Sequence, residues 1–249
     1  AGGDATTGGT DNAGKWHLMR VDDTGVSVLD PAGAVVRTIE LPEGFVPTLT
    51  QQLGRWLPGE PDGTSLTVID LSDGTAHTLE LPAEGMMLDR GLLASGGDMA
   101  VYFSASGGPL ALADFAAGTA RPLGEHDKYV PFGRRPGFAL YFSLDEPATV
   151  IVPIDDPAAA WEVPGGVADV HGTDALVLQT EDFVSTAFRF SGTEQQGEGI
   201  TFKAAIDGGI LTDTGAVVID TGGGVDSVDF AAGTYSLLGT LGIGIDVAV

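Results

Sequence analysis

Cysteine is absent from the 249 residues, which excludes disulfides, thiol catalysis and any cysteine-based zinc site. Asparagine occurs once, as Asn12, and lysine three times, as Lys15, Lys128 and Lys203. Basic residues are outnumbered 35 to 11 by acids, 24 of them Asp, so the formal net charge is −24. Such a field repels phosphate backbones and anionic lipid surfaces, which argues against a nucleic-acid partner. No apolar run approaches the ~18 residues of a spanning helix, so no membrane insertion of the domain is expected. Nor does any segment keep a capped apolar period near 3.6 residues over about ten positions, as a helix requires. The acidity has two readings: a solubilising coat, as in a high-salt organism, or a surface that attracts divalent cations or a basic partner.

What the chain has is punctuation. Glycine occurs 38 times and proline 14 times, while hydrophobic residues make up 43%. That combination means many turns between many short core-forming strands. The hexapeptide DFAAGT occurs twice, as Asp114 to Thr119 and as Asp229 to Thr234. Each copy stands between two apolar runs. SLTVIDLSDGTAHTLELP, from Ser65, follows the same grammar around Asp70 and Gly74, and VSVLDPAGAVVRTIELP, from Val26, follows it around Asp30 and Gly33. Looser copies run from Thr149 to Gly165 and from Ser185 to Phe202. With Asp30, Asp70, Asp114, Ile154, Phe190 and Asp229 as anchors, the intervals are 40, 44, 40, 36 and 39 residues. A period of about 40 built from strands predicts a four-stranded propeller blade.

Within each unit the hexapeptide reads as the hairpin between third and fourth strands. Its Asp accepts turn amides, its Gly takes a positive φ, and its Thr re-enters a strand. A calcium loop is the rival reading, but one carboxylate falls well short of the ~6–8 oxygens that Ca²⁺ takes. Second strands are predicted at 16–21, 55–60, 99–104, 138–143, 175–180 and 216–221, with Trp16 and Trp56 as inter-blade packing. First strands are predicted near 47–53, 86–94, 129–134, 167–171 and 206–212. Blade one then lacks a first strand, and the tail Leu241–Val249 lacks a blade. Ring closure, with the tail as the innermost strand beside Trp16–Val21, solves both and leaves no open edge. The expected fold is all-β: a six-bladed propeller over 15–249, with seven blades as the alternative.

GEPDGTSLTVIDLSDGTAHTLELP, from Gly59 to Pro82, resembles the repeating pattern of WD40-like and TolB-like β-propellers. The resemblance covers about residues 15–249 and implies architecture rather than activity. The Gly-His and Trp-Asp signatures of true WD40 repeats are missing. Residues 1–14, AGGDATTGGTDNAG, read as a flexible tether and resemble the spacer behind the lipidated cysteine of bacterial surface lipoproteins. That implies an extracytoplasmic protein, secreted or lipid-anchored, although a plain disordered terminus accounts for the same residues.

Enzymatic motifs fail one by one. The lone Asn12 cannot supply the site of a calcium-dependent lactonase propeller, and sialidase boxes, a nucleophile elbow, a phosphate loop and H-E-x-x-H are all missing. His17, His77, His126 and His171 fall in different repeats without metal-ligand spacing, and no cofactor is implied. The best candidate pocket is the mouth of a central channel lined by innermost strands. Those strands carry Gln51, Gln52, Asp89, Arg90, Arg134, Arg135, Asp169, His171, Asp207 and Asp246. Arg90, Arg134 and Arg135, with Asp169 and His171, are the expected ligand-binding residues, suited to a small anion. The structural alternative is that these arginines pair with neighbouring acids and stitch blades together. The expected function is a monomeric, non-enzymatic module that binds a protein partner. A small-molecule binder or enzyme at the channel mouth, and a calcium-stabilised surface protein, are the alternatives.

Overall fold

The computed structural model describes residues 5–10, 16–22, 25–30, 32–48, 55–89 and 98–241, the first two segments as backbone. Among them the chain is all-β apart from one 3₁₀ turn, Pro157–Ala159. Six antiparallel sheets follow one another along the sequence. Sheet one holds β1 (Ala5–Thr10), β2 (Trp16–Asp22), β3 (Gly25–Leu29) and β4 (Val35–Glu40). Sheet two holds β5 (Trp56–Pro58), β6 (Ser65–Asp70) and β7 (Ala76–Glu80); sheet three holds β8 (Met86–Leu88), β9 (Met99–Ser104), β10 (Leu110–Asp114) and β11 (Thr119–Leu123). Sheet four holds β12 (Tyr129–Arg135), β13 (Phe138–Ser143), β14 (Ala148–Pro153) and β15 (Trp161–Pro164). In sheet five, β16 (Gly166–His171), β17 (Asp174–Glu181) and β18 (Val184–Ser191) precede a split fourth strand, β19 (Glu194–Gln195) and β20 (Ile200–Thr201), both halves on β18. Sheet six holds β21 (Ile206–Leu211), β22 (Ala216–Asp220), β23 (Gly224–Asp229) and β24 (Thr234–Thr240). Each sheet pairs its strands in chain order, which is the up-and-down meander of a propeller blade.

Burial explains why the middle strands read as apolar blocks. LALAD in β10 and ATVIVP in β14 are almost wholly buried, as strands covered on both faces must be. The last strands β4, β7 and β11 are mostly exposed and mix charged or polar residues with apolar ones. The chain divides into two compact units, one of residues 1–130 with 152–160, the other of 131–151 with 161–249. In the first, Val26 and Ile39 of sheet one pack with Leu57 and Ile69 of sheet two, and Trp56, Leu66 and Leu79 pack with Tyr102, Ala111 and Phe115 of sheet three. In the second, Leu140 and Ile151 pack with Val177 and Phe190, and Leu176 and Ile200 pack with Val218 and Phe230. An apolar layer lies between each of these pairs of sheets.

Both copies of DFAAGT take the predicted place between third and fourth strands, and they do so identically. Asp114 faces Thr119, and Asp229 faces Thr234. In the first copy Ala117 N–H donates to the Asp114 carboxylate at 2.9 Å; in the second Ala232 N–H donates to Asp229 at 2.9 Å. Gly118 and Gly233 share a φ of 66°, which a side chain would strain. The intervening Phe is the part whose role the sequence left open. Phe115 and Phe230 are buried, each in the layer shared with the preceding sheet.

One expectation is corrected. The N-terminal tether of 1–14 contains a strand: Ala5–Thr10 pairs along its whole length with β2, with Thr7 opposite Met19. Both edges of Trp16–Asp22 are therefore occupied, by β1 and β3, and the place reserved for Leu241–Val249 is taken. ATTGGT has no apolar signal, but three threonines favour extended backbone and the ladder needs only N–H and C=O groups. At the other end Leu241 N–H donates to Gly223 O at 2.7 Å, which carries the ladder of sheet six one residue beyond β24. Residues 242–249 lie outside the described residues, as does most of the first strand predicted near 47–53.

Candidate functional site

Three arginines reach from one sheet to the next and donate to carbonyls, while Arg55 lies 3.5 and 3.7 Å from the carboxylates of Asp70 and Asp98. Arg37 of sheet one donates to Leu71 O at 3.3 Å and to Ser72 O of sheet two. Arg121 of sheet three donates to Ala158 O at 3.4 Å. Arg135 of sheet four donates through Nε and Nη2 to Ala168 O of sheet five, at 2.8 and 2.6 Å. Ala168 is available because β16 shifts register between Val167 and Asp169, leaving its carbonyl outside the ladder.

The five expected ligand residues separate accordingly. Arg90 lies outside the described residues. Arg135 is engaged as above, and its Nη1 also donates to Arg134 O at 3.0 Å. Arg134 is exposed on β12. Asp169 accepts Leu211 N–H of β21 at 2.8 Å, so it ties sheet five to sheet six. His171 stands opposite Asp174 at the exposed hairpin that ends β16. The geometry thus gives Arg135 and Asp169 stitching roles, but through backbone groups rather than the acid–base pairs of the structural alternative. Gln51, Gln52 and Asp246 also fall outside the described residues.

Two clefts stand out instead. The first, about 400 Å³, lies where the chain enters sheet two and is lined by Glu43, Phe45, Val46, Glu60, Pro61 and Asp62. Glu60 N–H donates to Val46 O at 2.7 Å and Thr48 N–H to Pro58 O at 2.9 Å, so one wall is braced by the other. Three carboxylates and exposed Val46 line it, with no basic residue among the described residues of its lining.

The second cleft, about 450 Å³, lies between sheets five and six. Asp174, Arg189, Ser191 and Gln196 form one wall, and Thr214, Phe230 and Ala231 the other. Arg189 places Nε and Nη2 on one oxygen of Asp174, at 3.2 and 2.5 Å. Burial by itself would raise the Asp174 pKa, but hydrogen bonds from Arg189 and Ser191, with the charges of Arg189 and His171, hold it below the usual carboxylate range. Of this pair, Asp174 faces the expected ligand residue His171, and Arg189 lies on the next strand. The missed signal was a strand-borne Arg189 two residues from the strand end. Among the described residues no three His, Asp or Glu side chains are grouped to hold a metal ion.

No family of known proteins matches the sequence, and neither does any curated protein. Similar solved structures include a computationally designed protein, Ika8, at 15% identity and a TM-score of 0.41, covering 96% of this chain and 87% of that one. The WD40 domain of Pan2 from Neurospora crassa has 11% identity and a TM-score of 0.33, covering 94% and 78%. AztD from Citrobacter koseri has 12% identity and a TM-score of 0.35, covering 60% of this chain and 44% of that one. These likenesses are too remote to transfer a partner or an activity, and the fold class rests on the six sheets themselves.

Proposed function

We propose that this protein is a non-enzymatic interaction module, working outside the cytoplasm, that holds a basic and partly apolar segment of a protein partner. The observation that carries the reading is the first cleft: Glu43, Glu60 and Asp62 stand around Phe45, Val46 and Pro61, and among the described residues no base lines it. In a chain of net charge −24, a lysine- or arginine-bearing segment is drawn toward any face, and apolar walls add the desolvated contact that fixes a register. The support for the extracytoplasmic placement is that the composition of residues 1–14 resembles that of lipoprotein spacers, although Ala5–Thr10 of that segment is paired in sheet one.

The test is capture from an envelope extract with wild type and with Glu43→Lys/Glu60→Lys/Asp62→Lys, all three being exposed positions that leave the core intact. Wild type is expected to retain a partner at low salt and to release it as salt rises toward about 0.5 M, where surface charges are screened. The charge-reversed protein is expected to retain none of it. Equal retention by both proteins, or no retained partner at all, contradicts the reading.

A further inference from the structure

Sheets two and five share a register that allows position-by-position comparison. Trp56 faces Asp70 and Val68 faces His77 in sheet two. In sheet five Asp174 faces Ser191 and Leu176 faces Arg189, whose carbonyl accepts Gln196 N–H at 2.7 Å. Asp174 therefore stands where Trp56 does, Arg189 where Val68 does, Gln196 where His77 does, and Ser191 where Asp70 does. The facing sheets correspond too, with Phe115 in one and Phe230 in the other, each from its copy of the hexapeptide.

The two junctions differ in how they are filled. Between sheets two and three, Trp56 is 1% exposed. Its ring lies 5.4 Å from His77 and 6.0 Å from Phe115, and its Nε1–H donates to Asp98 at 2.6 Å. Between sheets five and six the three plugging positions carry Asp, Arg and Gln, and the place of the plug is the 450 Å³ cleft. Stability does not call for that exchange, since sheet two shows how the same backbone is sealed.

We propose that the cleft between sheets five and six binds a neutral polyhydroxylated small molecule of the sugar type. Asp174 and Arg189 neutralise each other, so the site offers no net charge to an ion, and an anion must also overcome the field of the whole chain. What the pair does offer is a fixed acceptor beside a fixed donor. Vicinal hydroxyls, which both donate and accept, satisfy the two at once. The Gln196 amide, whose Nε2 also donates to Glu194 O at 3.1 Å, and the Ser191 and Thr214 hydroxyls extend the set, while Ala231 and Phe230 offer apolar surface to the C–H face of a ring. The volume lies within the ~300–1,000 Å³ of small-ligand sites.

The experiment is saturation-transfer NMR on the whole protein with glucose, galactose, mannose and maltose, and with glucuronate as the anionic control. Transfer to at least one neutral sugar is expected, and none to glucuronate. Gln196→Ala changes an exposed side chain and should weaken binding by about fivefold, the loss expected for a neutral hydrogen bond. Arg189→Gln should weaken it by about tenfold or more, with circular dichroism as the check on folding. If Arg189→Gln fails to fold, Gln196→Ala decides. Absence of transfer from every neutral sugar overturns the proposal. So does binding that Gln196→Ala leaves unchanged, or glucuronate binding as tight as that of the neutral sugars.

Discussion

Trp56→Ala should destabilise the protein by about 3–5 kcal/mol, the cost of removing a large aromatic side chain from a packed core. The side chain is 1% exposed and sits in the layer between sheets two and three with Leu66, Leu79, Tyr102 and Phe115. Three separate interactions disappear together. They are the ring contacts to His77 and Phe115, the Nε1–H hydrogen bond to Asp98, and the Arg55 guanidinium stacked 4.6 Å from the ring centroid. Asp98 is left without that donor, although its side chain is half exposed and water replaces part of the loss. Trp56→Phe separates the terms: it keeps most of the packing and removes the indole N–H, so it should lose markedly less than the alanine variant. Equilibrium urea unfolding measures both. A loss below about 1 kcal/mol for Trp56→Ala would mean that the indole is not the plug of this junction.

Gly215→Ala should be the second most damaging change, at about 1–3 kcal/mol, a typical cost of overpacking. Gly215 is buried just before β22, and a Cβ built there runs into the backbone oxygen of Val228. Backbone cannot swing away as a flexible side chain does, so β22 and β23 must move apart where the start of β22 meets the end of β23. The residue is also tied at both ends, its N–H to the Thr212 hydroxyl at 3.0 Å and its C=O to Thr212 N–H at 3.0 Å. By contrast Gly208→Ala, in the neighbouring strand, meets nothing within 4 Å and serves as the control. Thermal unfolding of the two variants should show a clear fall in midpoint for position 215 and a small one for 208. Equal shifts would place the close approach elsewhere.

These two positions also show what could be read without coordinates. The strands were legible because the repeat states each boundary more than once: MAVYFS and FALYFS, read as matching second strands, are β9 and β13 residue for residue. The hexapeptide hairpin was legible because Asp, Gly and Thr each have one reason to stand at those offsets. Trp56 was read as inter-sheet packing, and it packs between sheets two and three. The role of Gly215 was not legible, since one glycine letter serves a positive φ and a close backbone approach alike, and only the second applies here. β1 escaped notice because a strand paired by its backbone needs no apolar side chains. The site was the least legible part. Counting arginines on innermost strands found Arg135, but not that a register shift would offer it the Ala168 carbonyl. Arg189 lies on a third strand, away from the innermost strands, and its pairing with Asp174 depends on the β17–β18 register, which residue types alone do not give.

The central claim is that one up-and-down meander of antiparallel strands is repeated along the chain, with Ala5–Thr10 as the first strand of the first copy. Cross-strand NOEs in a deuterated sample test it most directly. The account predicts contacts between Thr7 and Met19, Ala113 and Ala100, Val177 and Phe188, and Val217 and Ser227. Contacts from residues 242–249 to Trp16–Val21 in place of those from Ala5–Thr10, or pairings that join strands from non-consecutive sheets, would contradict it.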